Sequence, residues 1–225
     1  MERSQINAII REGIEFIRQC SFCLPPFAFW TPDDWKRKGH ECDEIRNRML
    51  GWDVADFGRG DFDRYGLLLF TLRNGDPRGP AGGKSYCEKA LICRDNQRAV
   101  MHFHWQKMED IINRAGADLV IQLYGSDENE EIERDRAVTV SVDGVETEVP
   151  AGGLLRLKPG QSVSLVQGLY HEIWGGGGTV LVGEVSAVND DMADNRFAEP
   201  AGRFPEIEED EPPLHYLCNE YPPAR

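Results

Sequence analysis

The sequence predicts an all-β core, an antiparallel sandwich or barrel, with helix before it and a polar tail after it. From residue 64 onward the chain falls into eight or more short β-branched or alternating runs separated by turn residues. Between the runs 138–142 and 145–149 stands Asp143-Gly144, a dipeptide that favours a tight hairpin loop because both positions tolerate positive φ. Strands at this spacing fit a sandwich or barrel rather than a βαβ sheet.

In chain order, Ile6, Ile9, Ile10, Ile14 and Ile17 recur at helical spacing within residues 1–20, with Ser4 placed to cap, which predicts an amphipathic helix. Pro25, Pro26 and Pro32 forbid regular helix in the aromatic segment that follows, and Phe27, Phe29 and Trp30 could close over a barrel mouth or simply pack. Thr31-Pro32 reads as a helix start, cap then first turn. The predicted strands are 66–72, 85–93, 99–105, 118–124, 138–142, 145–149, 154–157, 162–166 and 179–185, and the glycines at 175–178 read as a connection. The tail from Glu206 is acidic and proline-rich, either loosely docked or disordered. With 225 residues and 40% hydrophobic content, one domain spanning 1–225 suffices: an N-terminal helical and aromatic extension (1–60), a β-barrel (64–200) and the tail (201–225).

A net charge of −14 argues against nucleic-acid or anionic-membrane partners, which need basic patches, and suits a small neutral substrate. Charged residues interrupt the N-terminal helix, so it does not read as a signal peptide, and no long apolar run follows; the expected location is cytoplasmic. The cysteines, at Cys20, Cys23, Cys42, Cys87, Cys93 and Cys218, do not form a disulfide-framework pattern and read as free thiols. Cys20-x-x-Cys23 is half a zinc motif without its other half.

His102-Phe103-His104-Trp105-Gln106-Lys107-Met108-Glu109 carries the chemistry. On an extended segment His102 and His104 share one side, and Glu109 can return from the neighbouring stretch, giving three ligands. Imidazole with carboxylate suits Mn, Fe, Co, Ni or Zn better than Ca or Mg.

In context, His102-x-His104-x4-Glu109-x6-Gly116 resembles the first cupin motif, and Gly160-x5-Val166-x-Gly168-x2-His171 resembles the second. Val166 stands where that family usually has proline, and Gly175 where it usually has asparagine; neither is a ligand position. The resemblance implies a jelly-roll-like cupin barrel and a metal bound by His102, His104, Glu109 and His171. His40 and His215 lack such partners and read as structural or surface residues.

Glu184-Val185-Ser186-Ala187-Val188-Asn189-Asp190-Asp191 followed by Asp194-Asn195-Arg196-Phe197 resembles the signature of the D-lyxose isomerase family, as do Tyr86-Cys87-Glu88-Lys89, Tyr170-His171-Glu172 and Leu24-Pro25-Pro26-Phe27. This resemblance covers nearly the whole chain. It implies aldose–ketose isomerisation, D-lyxose with D-xylulose and often D-mannose with D-fructose, with Mn preferred and a homodimer as the usual assembly.

Such a reaction moves hydrogen between C1 and C2 and a proton between the two oxygens. Glu184 is the candidate base, aimed inward by alternation on the strand after that of His171. Lys89 and Arg196 are candidates for stabilising developing negative charge or orienting the sugar, and Asp194 for a substrate hydroxyl. Proton transfer through an enediol and a metal-assisted hydride shift both fit this set. The competing readings are a cupin dioxygenase with the same three-histidine, one-glutamate shell and a non-catalytic sugar-binding cupin. A sugar-phosphate isomerase is disfavoured, because no basic cluster or glycine-rich helix start is placed for phosphate.

Overall fold

The computed structural model describes residues 1–76, 83–202 and 204–224. Three helices, α1 (Arg3–Gln19), α2 (Pro32–Trp35) and α3 (Asp43–Asn47), precede the strands β1 (Gly51–Ala55), β2 (Leu67–Arg73), β3 (Tyr86–Cys93), β4 (Ala99–Phe103), β5 (Glu109–Ser126) and β6 (Ile132–Glu133). Strands β7 (Val138–Val142), β8 (Val145–Val149), β9 (Leu154–Leu157), β10 (Ser162–Leu165), β11 (Tyr170–Ala187) and β12 (Arg196–Phe197) complete the chain. The pairing order is β1-β2-β3-β11-β5-β10-β7-β8, with β4 between β11 and β12, and with β6 and β9 on β5. Every pair of strands is antiparallel, as expected for a cupin barrel.

Two long strands stand where single short ones were expected. β5 extends the expected 118–124 back to Glu109, and β11 joins the second histidine motif to the expected 179–185. Glycine permits this. β5 bends at Gly116 (φ +97°), and β11 runs through 175–178, where Gly177 (φ +86°) and Gly178 (φ +155°) donate their N–H groups to Asp95 Oδ1. The register between β5 and β11 shifts at that point, so the paired strands turn a barrel corner without breaking the ladder. His171 and Glu184 therefore lie on two arms of one bent strand, not on successive strands.

β1 was not predicted, because Gly-Trp-Asp-Val-Ala has no alternation and two poor strand formers. It is buried on both faces, which removes the usual period-two signal. The same two-sided burial explains the run Leu67-Leu68-Leu69-Phe70: Leu67 and Leu69 face the barrel core, while Leu68 and Phe70 face the isoleucines of α1. Each fully buried isoleucine there is worth roughly 1.5–3 kcal/mol. The aromatic segment joins this outer layer, with Phe27 5.2 Å from Phe70 and Trp52 Nε1–H donating to Ala28 O. It therefore covers the outer core rather than the barrel mouth.

The tail is docked, not loose. Leu217 is fully buried, and the Arg3 guanidinium donates to Glu209 and Glu220. Arg3 N–H and Ser4 N–H donate to Glu208 O and Asp210 Oδ1, so Ser4 lies inside the helix and the tail supplies the acceptors that a capping serine would have given. Acidic side chains at a helix N-terminus also complement its dipole. At α2 the predicted cap is present, with Thr31 Oγ1 accepting from Asp34 N–H at 3.2 Å.

Candidate active site

Two strands deliver the histidines to one end of the barrel. His102 is on β4, His104 lies just past its end, and His171 on β11 is registered opposite His102. Their ligating nitrogens lie within 4.8 Å of one another. Each ring is held from behind through Nδ1, by Val100 O (2.8 Å) for His102, Asp194 O (2.7 Å) for His104 and Leu169 O (3.0 Å) for His171. A carbonyl can only accept, so Nδ1 carries the proton in all three and Nε2 presents its lone pair to the centre.

Glu109, the first residue of β5, completes the cluster. Its Oε1 lies 3.0 Å from His171 Nε2 and 3.5 Å from His104 Nε2. With Nδ1 protonated, these contacts face acceptor with acceptor and repel unless a cation stands between them. His104 Nε2 is buried and has no hydrogen-bond partner. Nitrogen and carboxylate donors around one point, one of them orphaned, fit a first-row divalent ion. Burial, the neighbouring His171 and then His104 hold His102 well below the usual imidazole range, which keeps it unprotonated for such a role.

Beside this cluster is a buried ring of charge. Lys107 Nζ lies 2.8 Å from both Glu109 Oε2 and Glu184 Oε1, and Lys89 Nζ lies 3.2 Å from the same Glu184 oxygen. Asn189 Oδ1 accepts from Lys89 (2.7 Å) and from Lys107 (3.3 Å). Burial alone would raise the Glu184 carboxyl; the Lys107 ammonium and then Lys89 hold it below its ordinary range. Glu109 is likewise pushed up by burial and brought well below the carboxylate range by Lys107 and His104. Against their own burial, Lys107 is raised by Glu109 and Glu184, and Lys89 by Asp191 and Glu184. Both carboxylates are therefore anions at neutral pH. The histidines, Glu109, Glu184, Lys89 and Lys107 line one cavity of about 70 Å³, together with Phe57, Asp191, Asn195 and Phe197.

The sequence model of the D-lyxose isomerase family matches residues 1–221. The chain is 47% identical to the D-lyxose/D-mannose isomerase of Serratia proteamaculans over 224 residues, 98% of each chain. It is 48% identical to the D-lyxose/D-mannose isomerase of Escherichia coli O157:H7, again over 98% of each. The chain belongs to the D-lyxose isomerase family. This family member is accordingly a sugar isomerase, of the aldose–ketose class. The fold is shared with more distant proteins. A variant of the L-ribose isomerase of Acinetobacter sp. DL28, with L-ribose bound, superposes with a TM-score of 0.61 at 13% identity, covering 92% of this chain and 98% of that one. The L-ribose isomerase of Geodermatophilus obscurus gives 0.61 at 15% identity with the same coverage.

Not every residue singled out in the D-lyxose isomerase signature lies in the cavity. Both Asp194 carboxylate oxygens accept backbone N–H groups, from Gln106 (2.8 Å) and Lys107 (2.9 Å), so this side chain ties the loop after β11 to the loop that carries His104. Arg196 is half-exposed and pairs with Glu131 (2.8 Å) and Glu130 (3.8 Å), outside the cavity lining. Sequence reasoning missed Lys107 and Asn189. Lys107 had one visible signal: it stands two residues before Glu109, and on an extended chain that spacing puts both on one side. Asn189 sits in a loop, where no periodicity marks an inward side chain.

Proposed function

We propose that this protein interconverts D-lyxose with D-xylulose, and D-mannose with D-fructose, using a divalent ion, preferably Mn, held by His102, His104, Glu109 and His171. The observation that carries the reading is the Glu184 carboxylate, kept ionised by two buried ammonium groups next to a cluster that calls for a cation. The names of the two close relatives supply the sugars. When bound, the ion contributes Lewis acidity toward the sugar carbonyl.

The chain's own residues do the rest. Glu184 takes the proton from C2 and returns it to C1 while the hydroxyl proton of O2 passes to O1, and its ionised state at neutral pH leaves it ready to accept. Lys89 and Lys107 stand where negative charge on the sugar oxygens needs stabilising, and both are too buried to be screened by water. Phe57 and Phe197, with ring centroids 6.4 Å apart, form an apolar wall of the cavity and limit the entry of solvent. Arg196 and Asp194 serve the substrate indirectly, Arg196 at the rim and Asp194 by fixing the loops that carry His104 and Lys107.

A homodimer and a cytoplasmic location complete the proposal. Tyr86, Met108, Val166 and Val185 are exposed apolar side chains on or next to the neighbouring strands β3, β5, β10 and β11, a patch suited to self-association. All six cysteines are free thiols, which suits a reducing compartment, and no described helix is long and apolar enough to cross a membrane.

The test is a panel of pentoses and hexoses incubated with metal-stripped and Mn-loaded protein. Ketose from D-lyxose and D-mannose is expected only with the loaded protein, and no ketose above background from any sugar would overturn the proposal. In the same assay Glu184→Gln is expected to bind metal with wild-type affinity and lose turnover by at least about 100-fold, at the lower end of general-base effects. His104→Ala should lose metal and turnover together.

A further inference from the structure

At the end of β2 the chain meets the loop whose Asn189 side chain joins the charged ring. The β2–β3 ladder pairs Thr71 with Lys89 but Arg73 with Glu88, so one extra residue is inserted beside Lys89. Such a bulge turns the strand and re-aims the side chains that follow. Asn74, the next residue, is buried. Its Nδ2 donates to Asn189 O at 2.9 Å, and its Oδ1 accepts from Asn189 N–H at 3.0 Å. One side-chain amide thus pairs with both backbone groups of a single residue, as a strand neighbour would.

That residue is the one whose own side chain lies between the lysines. Asn189 Oδ1 accepts from Lys89 and Lys107, and both ammonium groups also reach Glu184 Oε1. Gly75 supports the approach: a Cβ there would collide with Lys84 O and Val188 Cγ2, so only glycine lets the chain pack against the residue before Asn189. No other residue type reproduces the contact. Aspartate cannot donate, serine is too short to span both groups, and glutamine adds a methylene.

We propose that Asn74 is a positioning residue for the isomerisation: it clamps the backbone of Asn189 so that the Asn189 side chain holds Lys89 and Lys107 against Glu184. This rests on the reading of Glu184 and the two lysines given above. Asn74 touches none of the metal-ligating side chains, so its loss displaces the proton-transfer and charge-stabilising groups while leaving the histidines in place.

The experiment compares wild type, Asn74→Ala and Asn189→Ala by metal titration calorimetry, steady-state kinetics on D-lyxose and mass-spectrometric mapping of lysine acylation. Asn74→Ala is expected to keep its Mn dissociation constant within about threefold while kcat falls about 10- to 100-fold with little change in KM, the scale of a modest misplacement of catalytic groups. Acylation of Lys89 should rise severalfold over wild type while the exposed lysines Lys36 and Lys158 stay constant. Asn189→Ala, which keeps the backbone groups that Asn74 grips but removes the shared acceptor, should lower kcat similarly, and it provides the test if Asn74→Ala does not fold. Unchanged Lys89 acylation together with kcat within twofold of wild type would overturn the clamp. The acylation pattern reads the clamp directly even in a protein that turns over no sugar; inactive wild type would sink the isomerase reading alone, and protected Lys89 in both variants would sink the clamp.

Discussion

Lys107 shows how much one side chain can decide. Its ammonium separates two carboxylates that burial would otherwise drive apart or neutralise, and each partner is nearly inaccessible to water. Replacing it by methionine leaves Glu109 without its ammonium partner and Glu184 with Lys89 alone. Breaking a buried pair from one side costs about 3–5 kcal/mol, so metal-free Lys107→Met should unfold at clearly lower urea than wild type. Added Mn, which brings positive charge back beside Glu109, should recover part of the loss. A urea midpoint equal to wild type without metal would remove Lys107 from this role. The residue also bounds what the sequence could reveal. The three histidines and Glu109 follow a spaced motif and were legible; Lys107 lay inside that motif, but its importance depends on Glu184, 77 residues away in the chain.

Elements carry the next lesson. The predicted α1 is present because its isoleucines repeat with helical period, yet the groups that end it come from the other end of the chain. Glu208 O and Asp210 Oδ1 accept from its first N–H groups, and Arg3 bridges Glu209 and Glu220. Composition alone made the tail look loosely docked or disordered, because acidic and proline-rich segments bury little by themselves. Leu217 is the exception, an apolar residue inserted where Trp52 and β1 receive it. Leu217→Ala is expected to cost about 2–5 kcal/mol, the range for truncating a fully buried leucine. Limited proteolysis should then cut the tail, and α1 next, before the barrel. Cleavage starting in the barrel strands, or no change in rate, would contradict the view that tail and helix form one unit. The long strands β5 and β11 teach the converse. The glycines at 175–178 read as a connection in sequence, but they and Gly116 are the points at which continuous strands bend.

At the scale of the whole molecule, the tail and the N-terminal layer wrap the barrel, and one titrating group reports on that closure. His215 is buried and its Nδ1 meets Trp30 O at 3.0 Å. Burial lowers its affinity for protons, so the folded state favours the neutral ring. As pH falls through the ordinary imidazole value of about 6.5, the unfolded chain protonates first, and stability declines until the folded value is reached. The contribution is therefore fully present above about pH 6.5 and is lost progressively as the pH falls toward the folded value. Thermal midpoints from pH 8 to pH 5.5 should fall less steeply for His215→Gln than for wild type; identical slopes would show that His215 does not titrate differently on folding.

Across these scales, the sequence by itself determined what is local or regularly spaced: the α1 stripe, the strand alternation, the Asp143-Gly144 hairpin and the nearness of His102 to His104. Period and spacing are written in neighbouring residues, so they survive without coordinates. Only the tertiary structure decided that β1 is a strand, that the tail caps a helix, that Asp194 and Arg196 stand outside the cavity, and that Asn189 meets Asn74 on its backbone and Lys89 and Lys107 on its side chain. Those features arise from residues tens of positions apart, converging through two strands that bend at glycine. Convergence of that kind is set by how the sheet closes, and no local pattern encodes it.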